Sequence, residues 1–212
     1  MVVNKKTFIM KKLIIPLLLA IYLLSTSASC KKNPIIQFNK EFPNSIGTWW
    51  KYKVYDSIYN KLDTVTITVI GNGKLDNGDN ATIWAINSLL NGADTNYVTN
   101  KSDGIRIYYS RLSSASPNKR YVFPLTVGNY WVTYNILDTN RVTEKGSINV
   151  IAGTFSEGYR IKRNTREFPG LYIIQEDEWF VPNIGMVYRN YGSFGTPGVD
   201  HKLWELVSYQ IK

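Results

Sequence analysis

The chain has few of the residues on which enzyme active sites and disulfide scaffolds most often depend. Its 212 residues include one cysteine and one histidine. A single cysteine cannot form an internal disulfide, so the folded part must be stabilised by its hydrophobic core. The sequence has no G-x-S-x-G, P-loop, H-E-x-x-H or zinc-type Cys/His spacing, so the usual signatures of hydrolases, nucleotide-binding proteins and zinc enzymes are missing together. We therefore expect no metal and no cofactor.

The chain also lacks an apolar run long enough to span a membrane. The longest run, Leu13 to Leu24, would rise only about 18 Å as a helix, against a hydrocarbon core of roughly 30 Å. Two lysine pairs precede this run, small residues follow it, and Cys30 comes next. A basic segment before a short apolar run is typical of an export signal. We predict that residues 1–29 are a signal peptide, and that Met10 is the true translation start.

The segment 24–30 (LSTSASC) resembles a bacterial lipobox, in which a small residue precedes a cysteine that becomes acylated. The resemblance implies cleavage between Ser29 and Cys30 and a palmitate-bearing lipid on Cys30. That lipid would anchor the protein to a membrane of the cell envelope. Residues 30–40 would then be the lipidated N-terminus and a polar tether, and residues 41–212 the exported domain. The alternative for Cys30 is an ordinary thiol in a loop.

The charge of the chain gives no indication of a nucleic-acid partner. The formal net charge is +9, from 25 basic and 16 acidic residues. Four of the lysines lie in the leader, which has no acidic residue, so the exported part has a net charge of +5. No dense basic cluster follows Lys31 and Lys32, and the spaced basic residues from 160 to 166 indicate a solvated strand face. We predict no nucleic-acid partner and attachment to the membrane through the lipid.

The exported sequence contains an internal repeat. The segment 42–50 (FPNSIGTWW) recurs as 123–131 (FPLTVGNYW), an offset of 81 residues without a gap. At the same offset Gly104 falls on Gly185, and apolar residues after each opening also coincide: Ile67, Val69 and Ile70 with Ile148, Val150 and Ile151. We predict that the exported domain is built from two repeats of one unit, at about 42–122 and 123–212.

A period of two runs through both repeats and predicts β-strands with one buried face. Asn-Gly, Asp-Gly and Pro-Gly pairs separate the runs, and no convincing amphipathic helix follows the leader. We predict an all-β antiparallel meander of about 10–12 strands. Without helices to cover an open face, it should form a barrel or a strongly curved sheet from two similar halves, with a β-sandwich as the alternative. The run 202–211 is apolar on both faces near its middle, so we expect it centrally or under a covering loop.

Glu176 and Glu178 are the best candidates for catalytic carboxylates. In an extended strand they share a face about 7 Å apart, near the lower limit for an inverting glycosidase. The alternative is an acidic hairpin tip or edge that resists unwanted pairing. We expect His201 to be a solvated loop histidine, and 76–80 to be a hairpin turn rather than a calcium loop. We predict that the protein is not an enzyme, with a carboxylate-dependent glycoside hydrolase as the alternative.

The chain is rich in large aromatic residues, with six Trp and 15 Tyr. The aromatic pair at 49–50 recurs at 130–131, which indicates packing roles that belong to the repeated fold. Such rings can stack on a glycan or line a cavity for an apolar molecule. Three tryptophans have no aromatic counterpart in the other repeat and are our candidate ligand-binding residues: Trp84, Trp179 and Trp204.

The lipobox, the repeated opening and the segment 179–187 (WFVPNIGMV) make the chain similar to the small lipoproteins of Bacteroidetes. This resemblance implies a cell-envelope protein with a non-enzymatic domain that binds a ligand or partner. The partner could be a glycan, an apolar small molecule or another envelope protein. In that group, surface display is associated with acidic residues just after the cysteine. Here Lys31, Lys32 and Asn33 follow, which favours an outer-membrane anchor that faces the periplasm.

Overall fold

Alternating buried and exposed side chains form strands throughout the part of the chain that the structure describes. The computed structural model describes residues 39–57, 60–112, 117–133, 138–167, 172–195 and 198–212. The side chains of 166, 167, 172, 194, 195 and 198–200 are outside this description. The predicted signal peptide, Cys30 and most of the predicted tether also lie outside it.

The described chain forms twelve strands. They are β1 Trp49–Asp56, β2 Lys61–Lys74, β3 Asn80–Ser88, β4 Gly92–Lys101, β5 Gly104–Tyr108, β6 Lys119–Tyr121, β7 Tyr130–Val132, β8 Asp138–Val150, β9 Gly153–Glu167, β10 Tyr172–Val181, β11 Gly185–Gly195 and β12 Gly198–Gln210.

All twelve strands belong to one antiparallel sheet, in the order β6-β5-β4-β3-β2-β1-β12-β11-β10-β9-β8-β7. The predicted all-β meander is therefore confirmed, and it forms one nearly closed barrel rather than the two sheets of a sandwich. The described residues contain no helix. Accordingly, no helix among them is long and apolar enough to cross a membrane.

The barrel has two seams, at which its two six-stranded halves meet. At the first seam, β1 and β12 pair from Trp49 opposite Gln210 to Asp56 opposite Lys202, with one register shift between Lys51 and Tyr52. At the second seam, no strand pairing joins β6 to β7 within the described residues. The side chains of one arginine and one tryptophan bridge it instead.

Arg120 and Trp131 make these bridging bonds. The indole Nε1 of Trp131 donates to the carbonyl oxygen of Arg120 at 2.8 Å. In the opposite direction, the Arg120 guanidinium donates to the carbonyl oxygen of Val132 at 3.1 Å. The second seam is therefore closed by side chains where the first is closed by backbone.

The two repeated openings have the same local backbone pattern. Each is held by two backbone hydrogen bonds, from Gly47 N to Val69 O and Val69 N to Thr48 O before β1, and from Gly128 N to Val142 O and Val142 N to Asn129 O before β7. Gly104 and Gly185, which begin β5 and β11, both have positive φ values, +133° and +105°. Val142 rather than Val150 lies where Val69 does, so the constant offset fails in the strand after the opening. That the complete repeats superpose stays a prediction.

The tryptophans of the repeated openings are buried in the barrel. Trp50 is 2% exposed and Trp131 is 5% exposed. Phe42, which begins the first opening, stacks on Trp84 and on Phe180 with ring centroids 5.7 and 6.0 Å apart. The period-two pattern places these rings inward because neighbouring residues along a strand face opposite sides. These rings therefore form an aromatic cluster on the inner face of the barrel.

Strand β12 is packed on both faces, as its apolar run predicts. It lies between β1 and β11, near the middle of the sheet. The tip of the β8–β9 hairpin reaches it, since Ala152 N donates to Leu206 O at 2.9 Å and Phe155 contacts the ring of Tyr209. Strands β9, β10 and β11 separate β8 from β12 in the sheet, so the long β8–β9 hairpin must bend to reach β12. The expectation that this run lies centrally or under a covering loop is confirmed.

Candidate functional site

The barrel interior contains a cavity of about 200 Å³, which we call the inner cavity. Tyr109 lines this cavity and is 62% exposed, so the cavity reaches the surface beside the end of β5. For comparison, an engineered apolar cavity of about 150 Å³ holds benzene. The inner cavity therefore has room for a ligand about the size of one substituted ring. Most of its wall is apolar or aromatic, and includes Phe42, Trp50, Ile67, Trp84, Ile86 and Trp204.

Hydrogen bonds fix several of the rings that form this wall. The indole Nε1 of Trp84 donates to Asn44 Oδ1 at 2.7 Å, and that of Trp50 donates to the carbonyl oxygen of Ile184 at 2.6 Å. The two indoles contact each other, with centroids 5.1 Å apart. A buried tryptophan whose N–H is bonded has few alternative orientations. The aromatic wall is therefore formed before any ligand arrives.

The opposite wall of the inner cavity carries positive charge. Among the described residues, the charged side chains that line it are Lys119 on β6, Arg163 on β9 and Arg189 on β11. These side chains are 16%, 13% and 21% exposed. Glu176 and Glu178 on β10 pair with them but are each 1% exposed. The cations thus face the cavity, and the carboxylates lie behind them.

Glu176 and Glu178 share one lysine, and we call the group they form with it the glutamate cluster. The ammonium of Lys119 donates to both carboxylates. Arg189 Nε lies 2.7 Å from Glu176 Oε1, and the hydroxyl of Tyr121 donates to Glu178 Oε1 at 2.6 Å. The carboxylates therefore share a strand face, as the sequence predicted. The alternative of an acidic edge or hairpin tip is wrong, because β10 is paired on both sides and its acidic residues point inward.

The two carboxyl groups titrate in opposite directions. Burial alone would raise the pKa of Glu176, but Arg189, Lys119 and Arg163 outweigh it and hold that pKa well below its usual range. Burial raises the pKa of Glu178, which Lys119 only partly offsets and the neighbouring charge of Glu176 raises further. Two like charges that share one site separate in this way because the second ionises against the first. Glu176 is therefore the fixed negative charge of the cluster.

Arg163 and Arg189 differ in how many of their donors are already bonded. Arg163 forms a two-point pair with Asp138, since its Nε and Nη2 each donate to a carboxylate oxygen at 2.8 Å. The guanidinium of Arg189 stands over the ring of Tyr191, with Cζ 5.2 Å from the centroid. Its terminal nitrogens have no hydrogen-bond partner within the described part of the chain. Arg189 therefore has N–H donors that remain available to a ligand in the cavity.

Two other buried polar atoms at the cavity wall lack a partner among the described residues: Asn96 Oδ1 and Trp204 Nε1. One is an acceptor and the other a donor. Leaving such a group unsatisfied in a protein interior costs about 1–3 kcal/mol. Polar groups of a bound molecule would satisfy them, and so the inner cavity offers both apolar contacts and specific polar contacts.

A second cavity of about 240 Å³, the outer cavity, lies next to the first. Asp56, Asp63 and the exposed residues 91–94 at the start of β4 contribute to its lining. Ile86 and Trp204 line both cavities. These two side chains therefore stand between the inner and the outer cavity.

The three candidate tryptophans do not lie together. Trp84 and Trp204 both line the inner cavity. Trp179 follows Glu178 on β10, so its ring points to the outer face, where it covers Gly158 so closely that a Cβ there would meet the ring at 2.9 Å. The inner cavity thus brings together Trp84 and Trp204 but not Trp179. That these tryptophans bind a ligand stays a prediction.

The structure also places His201 and residues 76–80, the two remaining candidates from the sequence. His201 lies in β12, and its Nε2 is 2.7 Å from Asn190 Oδ1, so the expectation of a loop histidine is wrong. Residues 76–80 form a turn between β2 and β3, as expected, closed by the Gly78 N–H bond to Leu75 O. Within the described residues, no three His, Cys, Asp or Glu side chains are grouped so that they could hold a metal ion.

Sequence reasoning missed Lys119, Arg189 and Asn96 as site residues. Lys119 lies in a strand of three residues that has no recognisable pattern of its own. Arg189 had a signal, because it follows the buried Val187 at a spacing of two and so occupies an inward position of β11. A charged residue at an inward position of an alternating strand needs a partner inside the barrel.

The fold and the cavity define this chain as a nearly closed antiparallel barrel with a partly charged interior cavity. No protein-family model matches the chain, and no curated protein does. Two solved structures are similar to it. One is a protein of Bacteroides fragilis described provisionally as exported and with a YmcC-like fold, at 12% identity and a TM-score of 0.49, over 81% of this chain and 99% of that one. The other is from Parabacteroides distasonis and described provisionally as a lipoprotein, at 16% identity and a TM-score of 0.45, over the same shares of the two chains.

Proposed function

We propose that the chain is a lipid-anchored protein of the bacterial cell envelope whose barrel binds a small ligand in the inner cavity, without catalysis. The single observation that carries this proposal is the cavity itself, which is large enough for a ring-sized molecule. Its aromatic wall is held by the hydrogen bonds of Trp50 and Trp84, and Asn96 offers an unused polar atom. Preformed concave sites that are mostly apolar, with a few polar groups, are typical of small-molecule binding.

The buried position of the carboxylates favours binding over glycoside hydrolysis. A glycosidase needs two carboxyl groups that contact the scissile bond and a water molecule. Glu176 and Glu178 are each 1% exposed, and neither lines the inner cavity. Lys119 and Tyr121 already bond Glu176 Oε1 and both oxygens of Glu178, and the remaining oxygen, Glu176 Oε2, is buried 3.6 Å from Arg163 Nη1. The cluster is suited to hold cations in place.

A glycan-binding platform is less well supported than an interior site. Stacking on a sugar requires aromatic rings that present a free face to solvent. Trp84 is only 8% exposed and its ring is stacked on Phe42, while Trp179 is half-buried against the β8–β9 hairpin. Both rings have a face in contact with protein. A small molecule inside the barrel therefore accounts better for the position of Trp84.

The anchoring part of the proposal depends on Cys30 and is tested separately. Cys30→Ser should abolish incorporation of labelled palmitate and release the protein from membranes into the soluble fraction. Ser25→Ala, which changes a leader residue away from the cleavage site, should leave both properties unchanged. If Cys30→Ser still partitions with membranes as the wild type does, the lipid anchor is wrong. Separation of inner and outer membranes then tests whether the wild-type protein is in the outer membrane.

The binding part is tested by filling the inner cavity. Isothermal titration calorimetry with a ring-sized probe such as benzamide should detect binding to the wild type. Ile86→Phe adds volume at the inner cavity and should abolish the heat of binding. Thr95→Ile is the control, because Thr95 neighbours Asn96 on β4 but has the opposite orientation. Binding that survives in Ile86→Phe, or that is lost equally in Thr95→Ile, would contradict an interior site.

A further inference from the structure

The ligand class follows from the charges and donors at the cavity wall, and this inference rests on the proposed binding function. We propose that the inner cavity takes a small carboxylate with an apolar body of about one ring, and that the guanidinium of Arg189 binds the carboxylate. The ring would lie against the indoles of Trp50 and Trp84, and the charged end would face β11.

The charge that is accessible from the inner cavity is positive. The side chains of Lys119 and Arg189 keep 16% and 21% of their surface accessible, whereas Glu176 keeps 1%. A molecule in the inner cavity therefore meets cations at contact distance and carboxylates only beyond them. Because charge interactions strengthen as the surroundings exclude water, this difference selects strongly for an anion and against a cation.

Of the three cations, Arg189 is the one with donors available for a ligand carboxylate. The ammonium of Lys119 is bonded to two glutamates, and Arg163 gives both an Nε and an Nη donor to Asp138. Arg189 approaches Glu176 through Nε alone, and its terminal nitrogens have no partner among the described residues. A guanidinium edge presents two parallel N–H donors, which match the two oxygens of a carboxylate.

Buried carboxylates lie behind the cations of the cavity wall and balance their charge. Three cations at the wall face three buried carboxylates, those of Asp138, Glu176 and Glu178. Burial raises the pKa of Glu178, so of the two glutamates it is the one whose negative charge is more easily lost to a proton. A ligand carboxylate at Arg189 would add negative charge on the side of the cations that faces the cavity.

The size and remaining polar atoms narrow the ligand further. A cavity of about 200 Å³ excludes long acyl chains and polymers but accommodates a substituted benzene ring. Trp204 Nε1 adds an indole donor, and Asn96 Oδ1 requires a donor from the ligand. A ring that carries one carboxylate and one hydroxyl or amine would satisfy all of these groups. We therefore name the class as ring-sized carboxylates with a second, donating substituent.

The test compares three probes of nearly equal shape on the full chain: benzoate, benzamide and benzamidine, which are anionic, neutral and cationic at neutral pH. Isothermal titration calorimetry should give a dissociation constant for benzoate that is roughly tenfold to a hundredfold lower than that for benzamide, as a charge-assisted hydrogen bond predicts. Benzamidine should show no binding. These comparisons use the wild type alone, so they do not depend on the folding of any variant.

Arg189→Lys sharpens the assignment, since it keeps a positive charge beside Glu176 and removes the two-point donor edge. Its benzoate affinity should fall roughly tenfold, and its benzamide affinity should fall much less, because the amide has one acceptor oxygen and no charge to match the two-point edge. If benzamide binds the wild type as tightly as benzoate does, the inference of a carboxylate is overturned and the proposed binding function stands. If none of the three probes binds, the proposed binding function is overturned as well.

Discussion

The two halves of the barrel share their openings but contribute different walls to the inner cavity. The half from β1 to β6 supplies mainly rings and aliphatic side chains, such as Trp50, Trp84 and Ile86, with Lys119 at its end, whereas the half from β7 to β12 supplies Arg163 and Arg189. The openings before β1 and β7 make the same backbone hydrogen bonds and each ends in a buried tryptophan. What recurs in the sequence therefore builds the fold, and what differs between the halves shapes the site.

The largest expected effect is on the shared feature. Trp50→Ala and Trp131→Ala should each lower the free energy of unfolding by about 3–5 kcal/mol, because both remove a buried ring from the core. Trp49→Ala is the control, since Trp49 is partly exposed and bonds only Gln210 through its indole N–H. Urea unfolding of the three variants measures the difference. A strong loss in one half and none in the other would break the equivalence of the two openings.

The next largest effect concerns Glu176 of the glutamate cluster, which belongs to the second half. Glu176→Gln should destabilise the protein by about 3 kcal/mol, because Arg189, Lys119 and Arg163 would keep their charges without the carboxylate that compensates them. Asp177→Asn changes the adjacent acid, which pairs with Arg160 on the outer face, and should cost less than about 1 kcal/mol. Denaturant unfolding of both variants tests this contrast. Equal losses would mean that the cluster is no more important than a surface pair.

A smaller effect separates the two glutamates of the cluster by pH. The pKa of Glu178 is raised above its ordinary value of 4.5, so the folded protein holds a proton that the unfolded chain releases as the pH rises past about that value. Stability from this group therefore falls as the pH increases from about 4.5. Glu176 has the opposite sign, because its lowered pKa gives stability that is present above 4.5 and lost as the pH falls.

Glu178→Gln removes the group that cannot easily ionise. Its stability relative to the wild type should improve as the pH rises from 4.5 towards neutrality, because glutamine has no proton to lose. Glu176→Gln should show the reverse trend in the acidic range: relative to the wild type it should lose stability as the pH rises towards 4.5, with little further change above that value. Urea unfolding at several pH values gives both curves, and parallel curves for the two variants would contradict the opposite assignments.

Much of the fold could be predicted from local patterns, because a strand shows its buried face in every second residue. The meander and the closed sheet follow from such runs and from the lack of helices to cover them. The same alternation also indicates the direction of Trp179, which lies between two buried residues, Glu178 and Phe180, and must face outward. The three candidate tryptophans could have been separated by that parity alone.

The polar part of the site could not be predicted, because it depends on contacts between distant segments. Lys119 meets Glu176 and Glu178 only because the end of the first half comes close to the middle of the second inside the barrel. No local pattern in a three-residue strand indicates such a contact. Arg189 could be recognised as an inward charge, but its partners could not be named without the strand order.

The most direct test of an interior binding site uses the six tryptophans as reporters. Trp50, Trp84 and Trp204 line the inner cavity, whereas Trp49, Trp131 and Trp179 do not. Titration of the ¹⁵N-labelled protein with benzoate should shift the indole N–H resonances of the first three and leave the other three almost unchanged. Shifts confined to Trp49, Trp131 or Trp179, or an equal response from all six, would contradict binding inside the barrel.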